Sequence, residues 1–71
     1  MNITELRYLV AIKKWGSVSA AAKQLYAAQP NVSKALKNLE GEYGLRIFER
    51  SSTGRIPTEQ GRRFIEQAAR V

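Results

Sequence analysis

Interruptions recur at short intervals along this chain, at Gly16-Ser17, Ala27 to Pro30, Gly44, Ser51 to Gly54, and Pro57-Thr58. Glycine and proline at such points start and stop elements rather than lie inside them. The chain is thereby divided into three helical segments, a short extended hairpin and a final helix. With 71 residues there is room for one domain only. A domain this small buries a smaller fraction of its surface than a large one. With no Cys and no His, neither a disulfide nor a Cys/His metal site can reinforce it. Stability must therefore come from packing, and the expected fold is mainly α. The N-terminus lacks the apolar stretch of a signal peptide. No run reaches the roughly 18 apolar residues of a membrane span. The expectation is a soluble, cytoplasmic protein with no membrane partner.

Residues 3 to 15 suit a first helix. Asn2 is an N-cap residue with Glu5 three places on, the spacing of a capping box. Ile3, Leu6, Leu9 and Val10 recur at helical spacing as the expected core stripe, and Gly16 is a stop. A second helix starts at Ser17 or Ser19 and runs to Leu25 or Tyr26. Its Ala20, Ala21 and Ala22 are good helix formers, small enough for close helix approach. A third opens at Gln29, with Pro30 in the first turn, where a missing N–H costs nothing. It ends near Tyr43, before Gly44. Leu45 to Arg50 and Arg55 to Pro57 read as strands around a Ser51 to Gly54 tip. Thr58 and Glu59 open a fourth helix by capping it and complementing its dipole. Its expected apolar stripe is Gly61, Phe64, Ile65 and Ala68.

Twelve Lys and Arg stand against six acidic residues, for a net charge of +6. The charges are also segregated: from Lys13 to Lys37 there are five lysines and no acid, and the acids resume at Glu40. This is the footprint of a nucleic-acid binder, although charge alone equally fits a lysine-rich surface kept for solubility. The third helix decides between them. At about 100° per residue, Leu36, Leu39 and Tyr43 fall within about 40° of Val32 and define a core face. Pro30, Lys34, Lys37 and Gly41 lie opposite, flanked by Asn31, Ser33 and Asn38. An ordinary solvated face mixes both signs of charge. This one offers amide, hydroxyl and ammonium groups, which read base edges and neutralise phosphates.

The second helix, a turn at Tyr26 to Ala28, and the third helix make a helix-turn-helix, over about residues 18–37. In that motif the N-terminal part of the second helix enters the major groove. The hairpin, about residues 45–57, reads as a wing with Arg50 at its base and Arg55 beyond its tip. Such a wing suits the minor groove or adjacent phosphates, and Arg55 read as an edge-strand charge against aggregation fits equally well. An enzyme is disfavoured, because without His, Cys or Asp neither metal sites nor Ser-His-Asp chemistry can be assembled. Two further readings stay open: a basic amphipathic chain lying on a membrane surface, and a winged helix used for protein or RNA contacts. Against the latter, no exposed aromatic stacking platform is evident.

The chain resembles the N-terminal DNA-binding domain of LysR-type transcriptional regulators. The resemblance is carried by LRYLVAI, GSVSAAAKQL, AQPNVSKALKNLE, YGLRIFER and PTEQG, in that order and spacing over essentially the whole chain. It implies a winged helix-turn-helix: a three-helix core over residues 1–58, a two-stranded wing, and the start of a linker helix over 59–71. It also implies a homodimer or higher oligomer in the intact protein, with a small-molecule effector bound only by a further domain absent here. No cofactor is implied. The family's groove-facing residues map onto Gln29, Pro30, Ser33 and Lys34, with Asn31 at a variable position that helps set site preference. Ser17, Ser19, Lys23, Lys37, Arg50, Thr53 and Arg55 are candidates for backbone or wing contacts. Phe64, Ile65 and Ala68, with Val71, are the candidate dimer seam, the alternative being that Phe64 and Ile65 pack on the domain's own core. Two departures stand out. Ala28 replaces the Ser or Thr usual before Gln-Pro, and a lost N-cap hydroxyl costs about 1 kcal/mol and removes a phosphate contact. Thr53 stands where many members carry Arg; in a regular strand Arg55, two residues on, points the same way.

Overall fold

The computed structural model describes residues 1–70. Four helices and one hairpin follow in the order α1 (Ile3–Trp15), α2 (Val18–Gln24), α3 (Gln29–Tyr43), β1 (Phe48–Ser51), β2 (Gly54–Pro57) and α4 (Glu59–Ala68). The punctuation acts as expected. Asn2 and Glu5 form a reciprocal capping box, and Gly16 ends α1 in the left-handed conformation. Ser17 caps α2 by accepting from Ala20 N–H. Gly44, also left-handed, ends α3. Thr58 caps α4 by accepting from Gly61 N–H. α1, α2 and α3 pack around one core of Leu9, Ile12, Val18, Ala21, Val32, Leu36 and Leu39, and Ile47, Phe48 and Ile65 close it from the hairpin side. Burying a side chain of this size contributes about 1.5–3 kcal/mol.

Three expectations are corrected. On α1, Ile3 is 76% exposed and Val10 41%. The helix carries more apolar residues than one face can bury, and both lie about 160–180° round it from the buried Ile12. On α3, Tyr43 is exposed at the end of the stripe, where its ring tilts against Phe64 of α4 with centroids 4.8 Å apart. The first strand begins at Phe48 rather than Leu45. Residues 45–47 are occupied otherwise: Leu45 N–H donates to the Glu40 carbonyl at the helix end, and the Ile47 and Phe48 amides donate to the Glu40 carboxylate at 2.8 and 3.4 Å.

The wing is an antiparallel hairpin pairing Phe48 with Pro57, Glu49 with Ile56, Arg50 with Arg55 and Ser51 with Gly54. Two glycines set its place. At Gly54 (φ +143°) a Cβ would overlap the Gly16 carbonyl oxygen, and at Gly61 a Cβ would overlap that of Ile47. The hairpin thus lies directly on the α1–α2 turn, and α4 directly on the chain entering β1.

Candidate nucleic-acid interface

The outward face of α3 is built on its buried one. Val32, Ala35, Leu36 and Leu39 are buried, which fixes the helix rotation. Gln29, Pro30, Asn31, Ser33, Lys34, Lys37 and Asn38 are all exposed. None of these side chains takes part in an ion pair among the described residues, and no carboxylate interrupts the face before Glu40, which is turned toward β1. The N-terminus of α3 has no side-chain cap, because Ala28 occupies that position. The preceding turn is tight. Tyr26 adopts φ +55°, rare for a bulky residue, and its side chain is 99% exposed beside α3.

Other candidates gather on the same side. Ser17, Ser19, Gln29, Ser33, Arg50 and Arg55 line one concavity between α2, α3 and the wing. The Ser17 and Ser19 hydroxyls lie 3.4 Å apart. Lys23 is exposed on α2 and Lys37 one turn beyond Lys34 on α3, and neither lines that concavity. Thr53 sits at the exposed tip, with its amide donating to the Ser51 hydroxyl. Arg55 pairs with Arg50 one position from the tip, so Arg50 is not at the base of the wing as expected, and the Arg55 amide donates to the Gly16 carbonyl at 2.7 Å. Thr53 lies in the turn before β2 begins at Gly54, so Arg55 and Thr53 occupy different parts of the wing.

The candidate seam residues divide, and Ile65 follows the core-packing alternative. Ile65 is 3% exposed and belongs to the core of its own domain, so it is not available to a partner. The close approach allowed by Gly61 draws that face of α4 inward. Phe64 and Ala68 are half-buried, and Phe64 packs against the core and Tyr43. Val71 lies outside the described residues.

α4 handles charge differently from α3. Arg62 bonds Glu59 at 3.1 Å and Glu66 at 2.8 Å, and Arg63 reaches Glu59 at 3.2 Å. The hydrogen bond from Arg62 and its charge hold the Glu59 carboxyl below its ordinary range, and the same carboxylates raise Arg62. Tyr43 is raised, by desolvation first and then by Glu42.

Three residues were missed from the sequence. Glu40 anchors the start of the wing, a role without local signal because its partners lie seven and eight residues on. Gly54 and Gly61 seat the wing and α4. For Gly61 there was a signal, since glycine inside a helix costs about 1 kcal/mol and calls for a packing reason.

A trihelical core, a helix-turn-helix with an uninterrupted polar reading face, and a two-stranded hairpin stapled beside it define a winged helix-turn-helix domain. The profile of the family "Bacterial regulatory helix-turn-helix protein, lysR family" matches residues 3–62. The chain belongs to that family and is its helix-turn-helix DNA-binding domain. It is 41% identical over 71 residues to the HTH-type transcriptional regulator TfdS of Cupriavidus pinatubonensis, covering all of this chain and 24% of that protein. The DNA complex of the CbnR DNA-binding domain superposes with a TM-score of 0.91 at 36% identity, covering 99% of this chain and 80% of that one. The complex of the BenM DNA-binding domain with benA site 1 DNA gives 0.87 at 38%, covering 96% and 79%. The chain spans about a quarter of the curated relatives it matches. These relatives are transcriptional regulators rather than enzymes, in line with the side chains the sequence lacks. Among the described residues no helix is long and apolar enough to cross a membrane.

Proposed function

We propose that this domain reads sequence in double-stranded DNA on behalf of a cytoplasmic transcriptional regulator. α3 lies in the major groove and the wing on the adjacent minor groove or backbone. The observation that carries the reading is the outward face of α3. From Gln29 to Asn38 it presents amides, hydroxyls and unpaired ammonium groups, on a helix whose rotation the buried Val32–Leu39 spine fixes. Gln29 pairs bidentately with a base edge, adenine by preference, and Asn31, Ser33 and Lys34 act beside it with Pro30 against the groove wall. Ser17, Ser19, Lys23, Lys37, Arg50, Thr53 and Arg55 hold the backbone and set the register. The CbnR and BenM DNA-binding domains, both solved as complexes with DNA, support the same mode. In the intact regulator this domain, about residues 1–58, leads through a linker helix to an effector-binding domain. The regulator pairs as a homodimer or higher oligomer, with Phe64 and Ala68 as the parts of the seam still accessible on α4.

Selection of bound duplexes from a random pool tests this. A recovered consensus with two-fold symmetric half-sites is expected, since a dimer imposes its symmetry on its site. Recovery of random sequence would reduce the domain to a non-specific polyanion binder.

A further inference from the structure

Arg50 and Arg55 stand directly opposite each other in the wing, as a cross-strand pair. Such pairs share one face of the ladder, and like charges placed there repel. Among the described residues neither guanidinium has a carboxylate within ion-pair distance. On one side both arginines border a concavity with Glu40 and Glu49. There the Glu40 carboxylate is already taken by the Ile47 and Phe48 amides. On the other side they border a concavity of about 300 Å³ shared with Ser17, Ser19, Gln29 and Ser33, in which every polar side chain is a hydroxyl, an amide or a guanidinium.

The arrangement is also held in place. The Arg55 amide is bonded to the Gly16 carbonyl. Gly54 lies so close to that oxygen that no side chain fits between wing and turn. The strand that carries Arg55 is therefore held against the α1–α2 turn, beside α2 and α3. A fold that fixes two cations face to face, beside neutral donors and with neither in an ion pair among the described residues, is complementary to an anion with more than one acceptor oxygen. Planar guanidinium forks match phosphate oxygens in this way.

We propose that Arg50 and Arg55 act as a pincer on a single phosphodiester of the DNA backbone, seated between the wing and the reading face of α3. This rests on the DNA-binding reading above and goes beyond it: one phosphate is shared by both arginines, and it ties the wing to the recognition helix. The mutual repulsion of the free state becomes two attractions when that phosphate enters.

The test is a mutant cycle combined with neutralisation of individual phosphates. R50Q, R55Q and the double variant are measured on the selected duplex and on duplexes carrying one methylphosphonate at each successive position of a half-site. Each single substitution is expected to weaken binding about tenfold, the scale of a charge-assisted hydrogen bond. Contacts to one group are non-additive, so the double variant is expected to lose little more than either single. One methylphosphonate position is expected to make all four proteins bind alike. Losses that multiply to about a hundredfold, or that are erased at two different phosphates or at none, overturn the pincer. If R50Q is unfolded by circular dichroism, R50K replaces it in the same cycle, since it keeps the charge but loses the fork. Failure of the wild type to select any duplex would refute the DNA reading itself. Tight binding with additive losses would refute only the pincer.

Discussion

α3 and α4 are both amphipathic, and both bury one face against the same core, yet they dispose of charge in opposite ways. Arg62 of α4 lies between Glu59 and Glu66, and Arg63 leans on Glu59, so the helix largely neutralises itself. α3 leaves Lys34 and Lys37 with no ion-pair partner among the described residues, because Glu40, three places past Lys37, turns its carboxylate to the Ile47 and Phe48 amides. Their N-termini differ as well: Thr58 caps α4 through its side chain, whereas Ala28 provides nothing for α3. A helix whose charges are satisfied internally has little electrostatic reason to meet a polyanion. One whose cations are unsatisfied gains from it by releasing counterions. The difference separates a helix that completes the fold from a helix that meets the ligand.

The largest expected effect breaks the structural half of this comparison. Ile65 is buried against the core, and Ile-to-Ala changes in such sites cost about 2–5 kcal/mol. Ile65→Ala should lower the thermal midpoint sharply and reduce DNA binding only in proportion to the protein unfolded. If the variant keeps the wild-type melting temperature, α4 does not complete the core.

Next comes the reading half. Gln29→Ala should cost about 1–3 kcal/mol on the selected duplex and far less on random DNA, with the melting temperature unchanged because Gln29 is exposed. Titration of both duplexes by anisotropy checks this. Equal losses on the two would take base reading away from Gln29.

A finer contrast sets one cation of each helix against the other. Lys37→Ala should lower the slope of log K against log salt by about one on any sequence. Arg63→Ala should leave it nearly unchanged, because Arg63 is already bonded to Glu59. Equal changes in slope would mean that both helices meet phosphates and that the division drawn here is wrong.

Much of this division was legible in the sequence, because it rests on local rules. Asn2, Gly16, Ser17, Gly44 and Thr58 act at the ends of helices, where capping chemistry is decided within a few residues. The spine of α3 from Val32 to Leu39 follows from helical periodicity alone. What was not legible depended on neighbours distant in the chain. Periodicity gave α4 an apolar stripe but not its destination, so seam and core both stayed open for Ile65 until the approach of Gly61 to Ile47 placed it in the core. The hold of Glu40 on the start of β1 and the seating of Gly54 on Gly16 are likewise tertiary. Arg55 was expected in line with Thr53 only if the strand ran regularly through both, and it does not: β2 begins at Gly54, Thr53 lies in the turn, and Arg55 pairs with Arg50 one position from the tip.

The smallest expected effect concerns the ion pairs of α4 and has a definite sign. Arg62 holds Glu59 below its ordinary pKa in the folded state, through a hydrogen bond and its charge. A carboxyl lowered on folding contributes stability that is fully present above its unfolded pKa. That contribution is lost as pH falls through the lower, folded value. Arg62 is raised by the same contacts, from a value already far above neutrality, so it adds nothing to the slope on the acid side. Both side chains are exposed, Arg62 by 44% and Glu59 by 65%, so the effect is modest and screened by salt. Melting temperatures of wild type and Glu59→Gln, recorded from neutral pH into the acid range at low and high salt, isolate it. The two proteins should differ at neutral pH and low salt, converge as the solution is acidified, and lie closer together throughout at high salt. DNA affinity at neutral pH should be the same for both. If Glu59→Gln instead changes affinity by as much as Lys37→Ala does, the charges of α4 lie within the field of the DNA, and its self-neutralisation does not keep it out of the interface.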